Sequence, residues 1–296
     1  MTRDASPSAT RESFTPLDVS SEALQDLINL ALAEDLGRGD LTTRLSVPEG
    51  SRGRGTLMSK QRLVVAGLPV AARLFETLDP SVEWKAKVEE GAEVGSGTHL
   101  AIVTGAATTL LAGERVALNF LQHLSGIATF ARRLKVELAG LRTELLDTRK
   151  TTPGLRSLEK YAVRVGGGKN HRLRLDDAIL IKNNHLRLAG GIRRAIEKAC
   201  RDRPPGYDIE VEVTTLDGLE EAISAGADAV LLDNMTCEEV RQCVERAAGR
   251  VRLEVSGGID SGNIRAYAET GADYISVGAV THSAPAVDIN FVVEPL

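Results

Sequence analysis

Aromatic side chains are scarce in this chain of 296 residues: Phe, Trp and Tyr make up 3% of it, although 43% of the residues are hydrophobic. The core must therefore consist mostly of Leu, Val, Ile and Ala. That composition suits parallel βα units, because strands covered on both faces are rich in branched aliphatic residues. The length exceeds one average domain, so we expect either two domains or one barrel with an extension.

Cysteine is also rare. The three cysteines, Cys200, Cys237 and Cys243, lack the close spacing of a zinc site or a redox motif. They are expected to be buried thiols in predicted helices of a protein from a reducing compartment. No apolar run approaches the length that spans a membrane. Residues 1–18 are polar and contain no apolar segment, which predicts a disordered tail and no signal peptide. We therefore expect a soluble, cytoplasmic protein.

The chain has no overall excess of positive charge. Its formal net charge is −5, which argues against nucleic acid as the main partner. Basic residues nevertheless gather where predicted strands end and loops begin, the part of α/β proteins where sites are built. These residues are Arg149, Lys150, Lys169, His171, Arg172 and Lys182. The cluster predicts a local site for a small ligand with several negative charges.

The amino-terminal part of the chain contains first a helical pattern and then short strand-like patterns. Ser20 or Ser21 can cap a helix that ends at Gly37. Between residues 47 and 103, short β-like runs alternate with Gly and Pro around a helical piece at 69–78. This mixture predicts an α+β sandwich distinct from the carboxyl-terminal half of the chain.

Residues 110–138 read as a helix that Gly126 is expected to break in two. Arg115 and Asn119 are four residues apart and share one face of it. The pattern alone favours a solvated surface arginine at position 115. His99 and His123 read as ordinary surface or packing residues.

From Leu145 onward, strands alternate with helices. The predicted strands end near Asp147, Lys182, Val213, Leu232, Val255 and Val277. Helices are predicted at about 188–201, 215–225, 236–248 and 261–270. The near-repeats 225–228 and 270–273 each place a helix-ending glycine before a strand. Such βα repeats close naturally into a barrel. Six strands are visible where a standard barrel has eight, so two are hidden or the barrel is smaller or incomplete.

Acidic residues recur at one position of this repeat. Glu212, Asp233 and Glu254 follow one another at intervals of 21 residues. With Lys182, they fall at the carboxyl ends of predicted strands, where barrels place their catalytic groups.

Strand alternation puts Glu210 and Glu212 on the same face, and buried carboxylates are costly unless they are paired. Two interpretations stay open. The glutamates form salt bridges with Lys182 or Arg149, or Glu212 and Asp233 hold ribose hydroxyls or a magnesium ion.

Glycine-containing loops follow two consecutive strands: Ser256, Gly257 and Gly258 after one, and Val277, Gly278 and Ala279 after the next. They are typical of phosphate sites in which backbone N–H groups bind the ligand. The alternative is that they are only tight turns. His282 and Ser283 follow the second loop and could add a donor. The segment 166–172 is either a flexible turn or a mobile loop that closes its basic residues over an anion.

Six motifs together resemble the quinolinate phosphoribosyltransferase family. They are DTRKTTPGLR at 147–156, GGGKNHR at 166–172, IKNNH at 181–185, GERVALNFLQ at 113–122, LSGIAT at 124–129 and LDN at 232–234. The similarity extends from about residue 20 to residue 290. Departures from the family pattern are small: Thr108 stands where many members carry Arg, and Asn183 stands where many carry an acid.

The resemblance implies a two-domain α/β fold. An α/β sandwich would occupy residues 19–126, with the segment 283–296 packing back onto it, and an incomplete TIM-like barrel of about six or seven strands would occupy residues 127–282. It also implies a homodimer or higher homo-oligomer in which Arg115 enters the neighbouring subunit's site, which would replace the surface interpretation of that arginine.

The resemblance further implies an enzyme of de novo NAD biosynthesis. It would transfer phosphoribosyl from phosphoribosyl pyrophosphate to quinolinate with decarboxylation, giving nicotinate mononucleotide, pyrophosphate and CO2, with Mg²⁺ as cofactor. The implied catalytic residues are Lys150, Lys182, Glu212 and Asp233, and the last two would also bind Mg²⁺, directly or through water. The implied substrate-binding set adds Arg115, Thr148, Arg149, His171, Arg172, Ser256, Gly257, Gly258, Val277, Gly278 and Ala279 to those four.

Three alternatives remain. Lys182 could form a Schiff base in a phosphate-binding lyase or aldolase, which leaves Arg149, Arg172 and Arg115 without a role. The chain could be a paralogue of the same fold, associated with molybdenum-gene clusters, that does not turn over quinolinate. It could also be a non-catalytic module that binds a metabolite.

Overall fold

The computed structural model describes residues 17–18 and 20–296. Most of the predicted tail, residues 1–16, lies outside the described part of the chain. The chain divides into two compact units. One holds the described residues up to Arg132 together with Thr152–Gly167 and Ser283–Leu296, and the other holds Arg133–Thr151 and Gly168–His282.

Helices and strands alternate along the described chain. The helices are α1 (Glu22–Leu36), α2 (Leu41–Ser46), α3 (Leu68–Leu78), α4 (Ala107–Glu137), α5 (Arg156–Val165), α6 (Asn183–Ala189), α7 (Ile192–Asp202), α8 (Leu216–Ala225), α9 (Cys237–Ala247), α10 (Ile264–Ala268) and α11 (Ala279–His282). The strands are β1 (Arg52–Ser59), β2 (Leu63–Val64), β3 (Glu83–Ala86), β4 (Glu93–Val94), β5 (His99–Ala106), β6 (Glu144–Leu146), β7 (Ile179–Ile181), β8 (Ile209–Val213), β9 (Ala229–Asp233), β10 (Arg252–Ser256), β11 (Tyr274–Ser276) and β12 (Ile289–Pro295). Among the described residues, no helix is both long and apolar enough to cross a membrane.

The first unit contains an antiparallel sheet in the order β12-β1-β5-β3. The carboxyl-terminal strand β12 pairs with β1, with Phe291 opposite Leu57. Phe75 of α3 is fully buried, and its ring centroid lies 5.9 Å from that of Phe291 and 6.1 Å from that of Trp84. Three of the few aromatic residues thus pack together. The antiparallel sheet with its helices confirms the predicted amino-terminal α/β sandwich.

Helix α4 is continuous, so the predicted break at Gly126 is wrong. A Cβ atom at this position would lie less than 3.0 Å from the carbonyl oxygen of Pro285. Likewise, a Cβ at Gly166, the carboxyl cap of α5, would lie 2.5 Å from the carbonyl oxygen of Ala128. The glycines are therefore needed for close packing against α4.

Helix α5 belongs to the first unit, although the predicted domain limits place its residues in the barrel domain, residues 127–282. Glu159 of α5 is fully buried, and its Oε1 atom lies 2.9 Å from Nε2 of His123 on α4. The main-chain N–H of Thr152 donates to Oε2 of the same carboxylate, at 3.1 Å. These contacts explain why residues 152–167 group here, and His123 has a specific partner that its sequence context does not indicate.

The second unit contains a six-stranded parallel sheet in the order β6-β11-β10-β9-β8-β7. A parallel bridge from Leu146 to Lys169 adds to its β6 edge. The predicted incomplete barrel is confirmed. The helix predicted at 188–201 is instead two helices, α6 and α7, because Gly190 and Gly191 adopt positive φ values of 81° and 125° between them.

The near-repeats 225–228 and 270–273 have the same geometry. Gly226 and Gly271 have φ values of 95° and 92°. Two residues later, Oδ2 of Asp228 accepts the N–H of Ile209 at 2.9 Å, and Oδ2 of Asp273 accepts the N–H of Leu253 at 2.8 Å. Each aspartate thereby holds the start of a neighbouring strand, so the repeated acid is structural.

The cysteines are free. All three lie in helices as predicted, but only Cys243 is buried, with its Sγ atom 3.8 Å from Sδ of Met235. Cys200 and Cys237 are half-buried, which corrects the expectation for those two.

Replacing Gly126 with Ala should destabilise the protein. Alanine favours a helix over glycine by about 1 kcal/mol, but overpacking against a backbone carbonyl costs about 1–3 kcal/mol. We expect a lower thermal unfolding midpoint for Gly126→Ala than for the natural chain. Gly95→Ala is the matched control, because nothing lies within 4 Å of a Cβ there. Equal midpoints for both variants would contradict the packing argument.

Candidate functional site

The predicted site residues of the second unit lie at the carboxyl ends of its parallel strands. Thr148, Arg149 and Lys150 follow β6, Lys182 follows β7, Glu212 lies near the end of β8, Asp233 ends β9, Ser256, Gly257 and Gly258 lie at the end of β10, and Val277, Gly278 and Ala279 follow β11. His171 and Arg172 lie shortly after the bridge that Lys169 forms with β6. Because parallel strands end at one edge of a sheet, the fold brings these residues to the same edge.

Arg149 and Arg172 are two neighbouring positive charges. Burial lowers the pKa of Arg172, and the charge of Arg149 lowers it further, while Asp177 and Glu210 oppose the shift. Nη1 of Arg172 donates to the carbonyl oxygen of Ala178 at 3.1 Å. Nε of Arg149 is buried and has no hydrogen-bond partner among the described residues. Such an arrangement favours an anion that accepts hydrogen bonds from both guanidinium groups.

Lys182 faces Glu212. Its Nζ atom lies 3.8 Å from Oε2 of Glu212, and the side chains are 51% and 13% exposed. The main-chain N–H of Lys182 donates to Nδ1 of His185 at 2.9 Å, which fixes the turn from β7 into α6. The structure therefore contains the salt bridge with Lys182 that was one of the two interpretations of the β8 glutamates. Because half of the Lys182 side chain is exposed, its ammonium group is also accessible to an anionic ligand.

Asp147, which was not predicted as a site residue, holds the basic loop in place. It is fully buried, and its Oδ1 accepts the N–H of His171 at 2.8 Å while its Oδ2 accepts from Nδ2 of Asn170 at 2.6 Å. The N–H of Lys169 also donates to the carbonyl oxygen of Leu145 at 2.8 Å. In this structure, these bonds attach the stretch from Lys169 to His171 to β6.

His171 is held at both ring nitrogens. Nδ1 accepts the N–H of Arg172 at 2.7 Å, so the ring proton lies on Nε2. Nε2 faces Oε2 of Glu210 at 3.1 Å and Oε2 of Glu254 at 3.6 Å. One atom from each of these three side chains lies within 4.8 Å of the others.

Glu254 has an altered acidity. Burial raises the pKa of Glu254 to about 8, and the charge of Glu210 adds to the shift while His171 opposes it. The sequence contained two signals for these acids: Glu210 alternates with Glu212 on β8, and Glu254 continues the interval of 21 residues. Neither signal identifies His171 as their shared partner.

The ends of β9 and β10 are joined through Asn234. Its Nδ2 donates to Oδ2 of Asp233 at 2.9 Å, and its main-chain N–H donates to the carbonyl oxygen of Ser256 at 2.9 Å. Asn234 has a positive φ of 56°. Gly257 has a φ of 97°, and a Cβ there would lie less than 3.0 Å from the Asn234 side chain. The glycine therefore leaves room for the amide that orients the Asp233 carboxylate.

The loops after β6 and β11 are also joined. Oγ1 of Thr281 donates to the carbonyl oxygen of Lys150 at 2.7 Å, and the N–H of Lys150 donates to Oγ1 of Thr148 at 3.0 Å. A Cβ at Gly278 would lie 2.9 Å from Cδ of Lys150 and 3.3 Å from Nε2 of His282. Gly278 thus lets the Lys150 side chain pass close to the backbone of the second glycine loop.

Arg115 lies in the first unit, on α4, where it is exposed together with Asn119. Its role in a neighbouring subunit stays a prediction. Thr108, also on α4, is exposed, and Asn183 at the start of α6 is half-buried.

Gly257→Ala should cost more stability than Gly258→Ala. Both residues have positive φ values, 97° and 61°, so both variants carry the strain of about 1–2 kcal/mol that L-residues have in this region. Only the Cβ at position 257 also meets a neighbour, Asn234, whereas nothing lies within 4 Å at position 258. Thermal unfolding of the two variants measures the difference. Equal losses would show that the room beside Asn234 is unimportant.

Comparison with known proteins identifies the family. Two family models match: "Quinolinate phosphoribosyl transferase, N-terminal domain" over residues 40–125 and "Quinolinate phosphoribosyl transferase, C-terminal domain" over residues 127–292. The chain is 41% identical to the nicotinate-nucleotide pyrophosphorylase (carboxylating) of Mycobacterium leprae, covering 92% of this chain and 98% of that protein. It is 36% identical to the chloroplastic enzyme of that name from Oryza sativa, covering 92% and 78%. The structure of the nicotinate-nucleotide pyrophosphorylase from Francisella tularensis matches with a TM-score of 0.89 and 41% identity, over 92% of this chain and 96% of that one. The chain therefore belongs to the quinolinate phosphoribosyltransferase family.

Proposed function

We propose that the chain transfers the phosphoribosyl group of phosphoribosyl pyrophosphate to quinolinate with decarboxylation, as a pentosyltransferase of de novo NAD biosynthesis, at the carboxyl edge of its parallel sheet. The observation that carries the site assignment is the pair of Arg149 and Arg172, two half-buried cations: burial lowers the pKa of Arg172, and repulsion from Arg149 adds to the shift. A ligand with two adjacent carboxylates relieves that repulsion.

Quinolinate fits the basic cluster because each guanidinium can bind one carboxylate through two parallel hydrogen bonds. The buried Nε of Arg149 supplies one such donor. Arg172 is fixed by its bond to the carbonyl oxygen of Ala178, which leaves its remaining N–H groups for the ligand. Lys182 completes the proposed dicarboxylate pocket. His171, the other predicted member, is 13% exposed, and its ring nitrogens are engaged by the Arg172 N–H and Glu210, so it would line the pocket and support Arg172.

Phosphoribosyl pyrophosphate fits the remaining residues. The loops Ser256–Gly258 and Val277–Ala279 offer main-chain N–H groups to the 5′-phosphate. Asp233, oriented by Asn234, and Glu212 accept hydrogen bonds from the ribose hydroxyls. Lys150, with Thr148 beside its main chain, and Lys182 face the negative charge of the departing pyrophosphate.

A magnesium ion fits Glu212 and Asp233. Their carboxylates lie on neighbouring strands, β8 and β9, and Mg²⁺ prefers oxygen ligands and commonly combines one or two carboxylates with substrate phosphates and water. These two residues would hold the ion, directly or through water. When bound, it would neutralise charge on the pyrophosphate.

The bond changes need no covalent nucleophile from the protein. The ring nitrogen of quinolinate attacks the anomeric carbon of the ribose as the bond to pyrophosphate breaks. The ring nitrogen is then positively charged, so loss of CO2 leaves an electron pair on the adjacent ring carbon that this charge stabilises before a proton is added. The side chains position the two anions and stabilise developing charge.

We also propose that the enzyme is at least a homodimer that donates Arg115 across its interface, since Arg115 is exposed on α4 and matches the family position. The exposed Asn119 on the same face accords with a contact surface. The cytoplasm is the proposed location.

The lyase alternative is less favourable. A Schiff-base mechanism leaves Arg149 and Arg172 without a role, and in the structure Nζ of Lys182 lies 3.8 Å from the Glu212 carboxylate. Borohydride trapping in the presence of quinolinate separates the two, because only a Schiff base gives a covalent adduct.

The function is tested by product analysis. Purified protein is given phosphoribosyl pyrophosphate and Mg²⁺ with either quinolinate or nicotinate. We expect nicotinate mononucleotide and CO2 from quinolinate and little product from nicotinate, because the pocket requires two carboxylates. Product from nicotinate at the same rate, or none from quinolinate, would refute the proposal.

Arg149→Ala should raise the KM for quinolinate by about 10–100-fold or more, since one hydrogen bond to a charged group contributes about 1.5–3 kcal/mol. Arg174→Ala is the matched control, because Arg174 is 70% exposed and paired with Asp176. We expect no change for the control in steady-state kinetics. Natural kinetics in Arg149→Ala would remove Arg149 from the pocket.

A further inference from the structure

Arg172 belongs to residues 171–178, a segment that is neither helix nor strand and that lies between the Lys169 bridge and β7. Such a segment has no regular ladder of main-chain hydrogen bonds, so side-chain acceptors take over part of that task. The proposed chemistry depends on where the Arg172 guanidinium lies. The groups that fix this segment therefore matter for function.

Three consecutive main-chain N–H groups of the segment donate to side chains. The N–H of His171 donates to Oδ1 of Asp147 at 2.8 Å, and the N–H of Arg172 donates to Nδ1 of His171 at 2.7 Å. The N–H of Leu173 donates to Oδ2 of Asp177 at 2.7 Å. The main chain is thus held on both sides of Arg172, and Asp177 holds it on the carboxyl-terminal side.

The bond from Leu173 to Asp177 also closes a turn. Next to it, Nη1 of Arg172 donates to the carbonyl oxygen of Ala178 at 3.1 Å. The main chain just before β7 is therefore connected to the residue after Arg172 and to the Arg172 guanidinium itself. Loss of the bond at Asp177 would loosen the turn that these two bonds close, and the guanidinium would move with it.

Asp176 is the neighbouring acid, but its carboxylate has a different partner. Oδ1 of Asp176 lies 3.4 Å from Nε of Arg174, and the two side chains are 73% and 70% exposed. Such a surface pair contributes little to stability. Asp177 binds the main chain instead, and its charge opposes the lowering of the Arg172 pKa that burial and Arg149 cause. Asp177 is therefore the acid whose contacts lead to Arg172.

We propose that Asp177 is a positioning residue of the quinolinate pocket: by accepting the N–H of Leu173, it fixes the turn from which the Arg172 guanidinium reaches the ligand. Asp177 acts through Arg172 and not on the ligand, because a carboxylate repels the carboxylates of quinolinate. The link to quinolinate rests on the proposed function. The hydrogen bond and its effect on the turn do not.

Steady-state kinetics of the full chain test the proposal. Asp177→Ala should raise the KM for quinolinate about fivefold or more, the effect of losing one hydrogen bond to a charged acceptor. Asp177→Asn should stay within about twofold of the natural value, because its amide oxygen still accepts the N–H of Leu173. The KM for phosphoribosyl pyrophosphate should change by less than about twofold in both variants.

Two results of these kinetics overturn the proposal. One is a natural KM for quinolinate in Asp177→Ala. The other is an equal loss in Asp177→Asn and Asp177→Ala, which would make the charge of Asp177 and not its hydrogen bond the cause.

Asp176→Ala is the matched control, because it removes an acid from the same segment whose carboxylate pairs with a surface arginine. We expect the natural KM for quinolinate in this variant. If Asp176→Ala raises that KM as much as Asp177→Ala does, the effect belongs to the segment as a whole and the proposal is wrong.

A double-mutant cycle tests whether Asp177 acts through Arg172. Arg172→Ala removes the group that is to be positioned. Adding Asp177→Ala to it should therefore change kcat/KM for quinolinate by less than about twofold, measured at high enzyme concentration. A further loss of about fivefold or more would show that Asp177 acts elsewhere, against the proposal.

Amide hydrogen exchange measured by NMR tests the turn without any turnover. The N–H of Leu173 should exchange more slowly in the natural chain and in Asp177→Asn than in Asp177→Ala. Equal exchange in the natural chain and in Asp177→Ala overturns the proposal. If the natural chain gives no product from quinolinate, the proposed function fails, and this exchange rate still decides whether Asp177 holds the turn.

Discussion

Repulsion between two neighbouring guanidinium groups, those of Arg149 and Arg172, is the constraint on which the rest of the proposed site depends. Unit charges about 5 Å apart repel each other by about 3 kcal/mol at an effective dielectric constant of about 20. Burial is the main cause of the lowered pKa of Arg172, and the charge of Arg149 adds to it. A protein can tolerate such a pair in two ways. It can place a carboxylate between the two groups, or it can hold them apart from their counter-charges and leave the relief to a ligand.

This chain uses the second way. Around Arg172, Asp147 and Glu210 form their hydrogen bonds with His171. Asp147 accepts from the main chain of His171, and Glu210 accepts from its ring. The acids therefore fix the geometry of the loop, and in the proposed site the guanidinium groups are left to bind an external dianion.

The sequence predicted the parts of this structure that local pattern determines. Alternating apolar strands, helix-ending glycines and the interval between Glu212, Asp233 and Glu254 indicated the parallel sheet and its carboxyl edge. The packing role of Gly126 could not be predicted from the sequence, because the backbone that approaches it belongs to Pro285, far along the chain. The same holds for His171, whose partner Glu210 is 39 residues away.

The resemblance to a family identified the residues that would touch substrates, whereas the residues that position them became visible only in three dimensions. Asn234 shows why. Asn234 has a left-handed backbone, donates to Asp233 and occupies the space that Gly257 leaves, and together these features orient the Asp233 carboxylate. In the sequence, they are visible only as an amide after an acid and a glycine in a distant loop. A reaction without a covalent nucleophile depends on placing two anionic substrates accurately, because proximity and orientation supply much of the rate acceleration. In such an enzyme, the supporting contacts of Asp147 and Asn234 are as much a part of the catalytic design as the groups that touch the ligand.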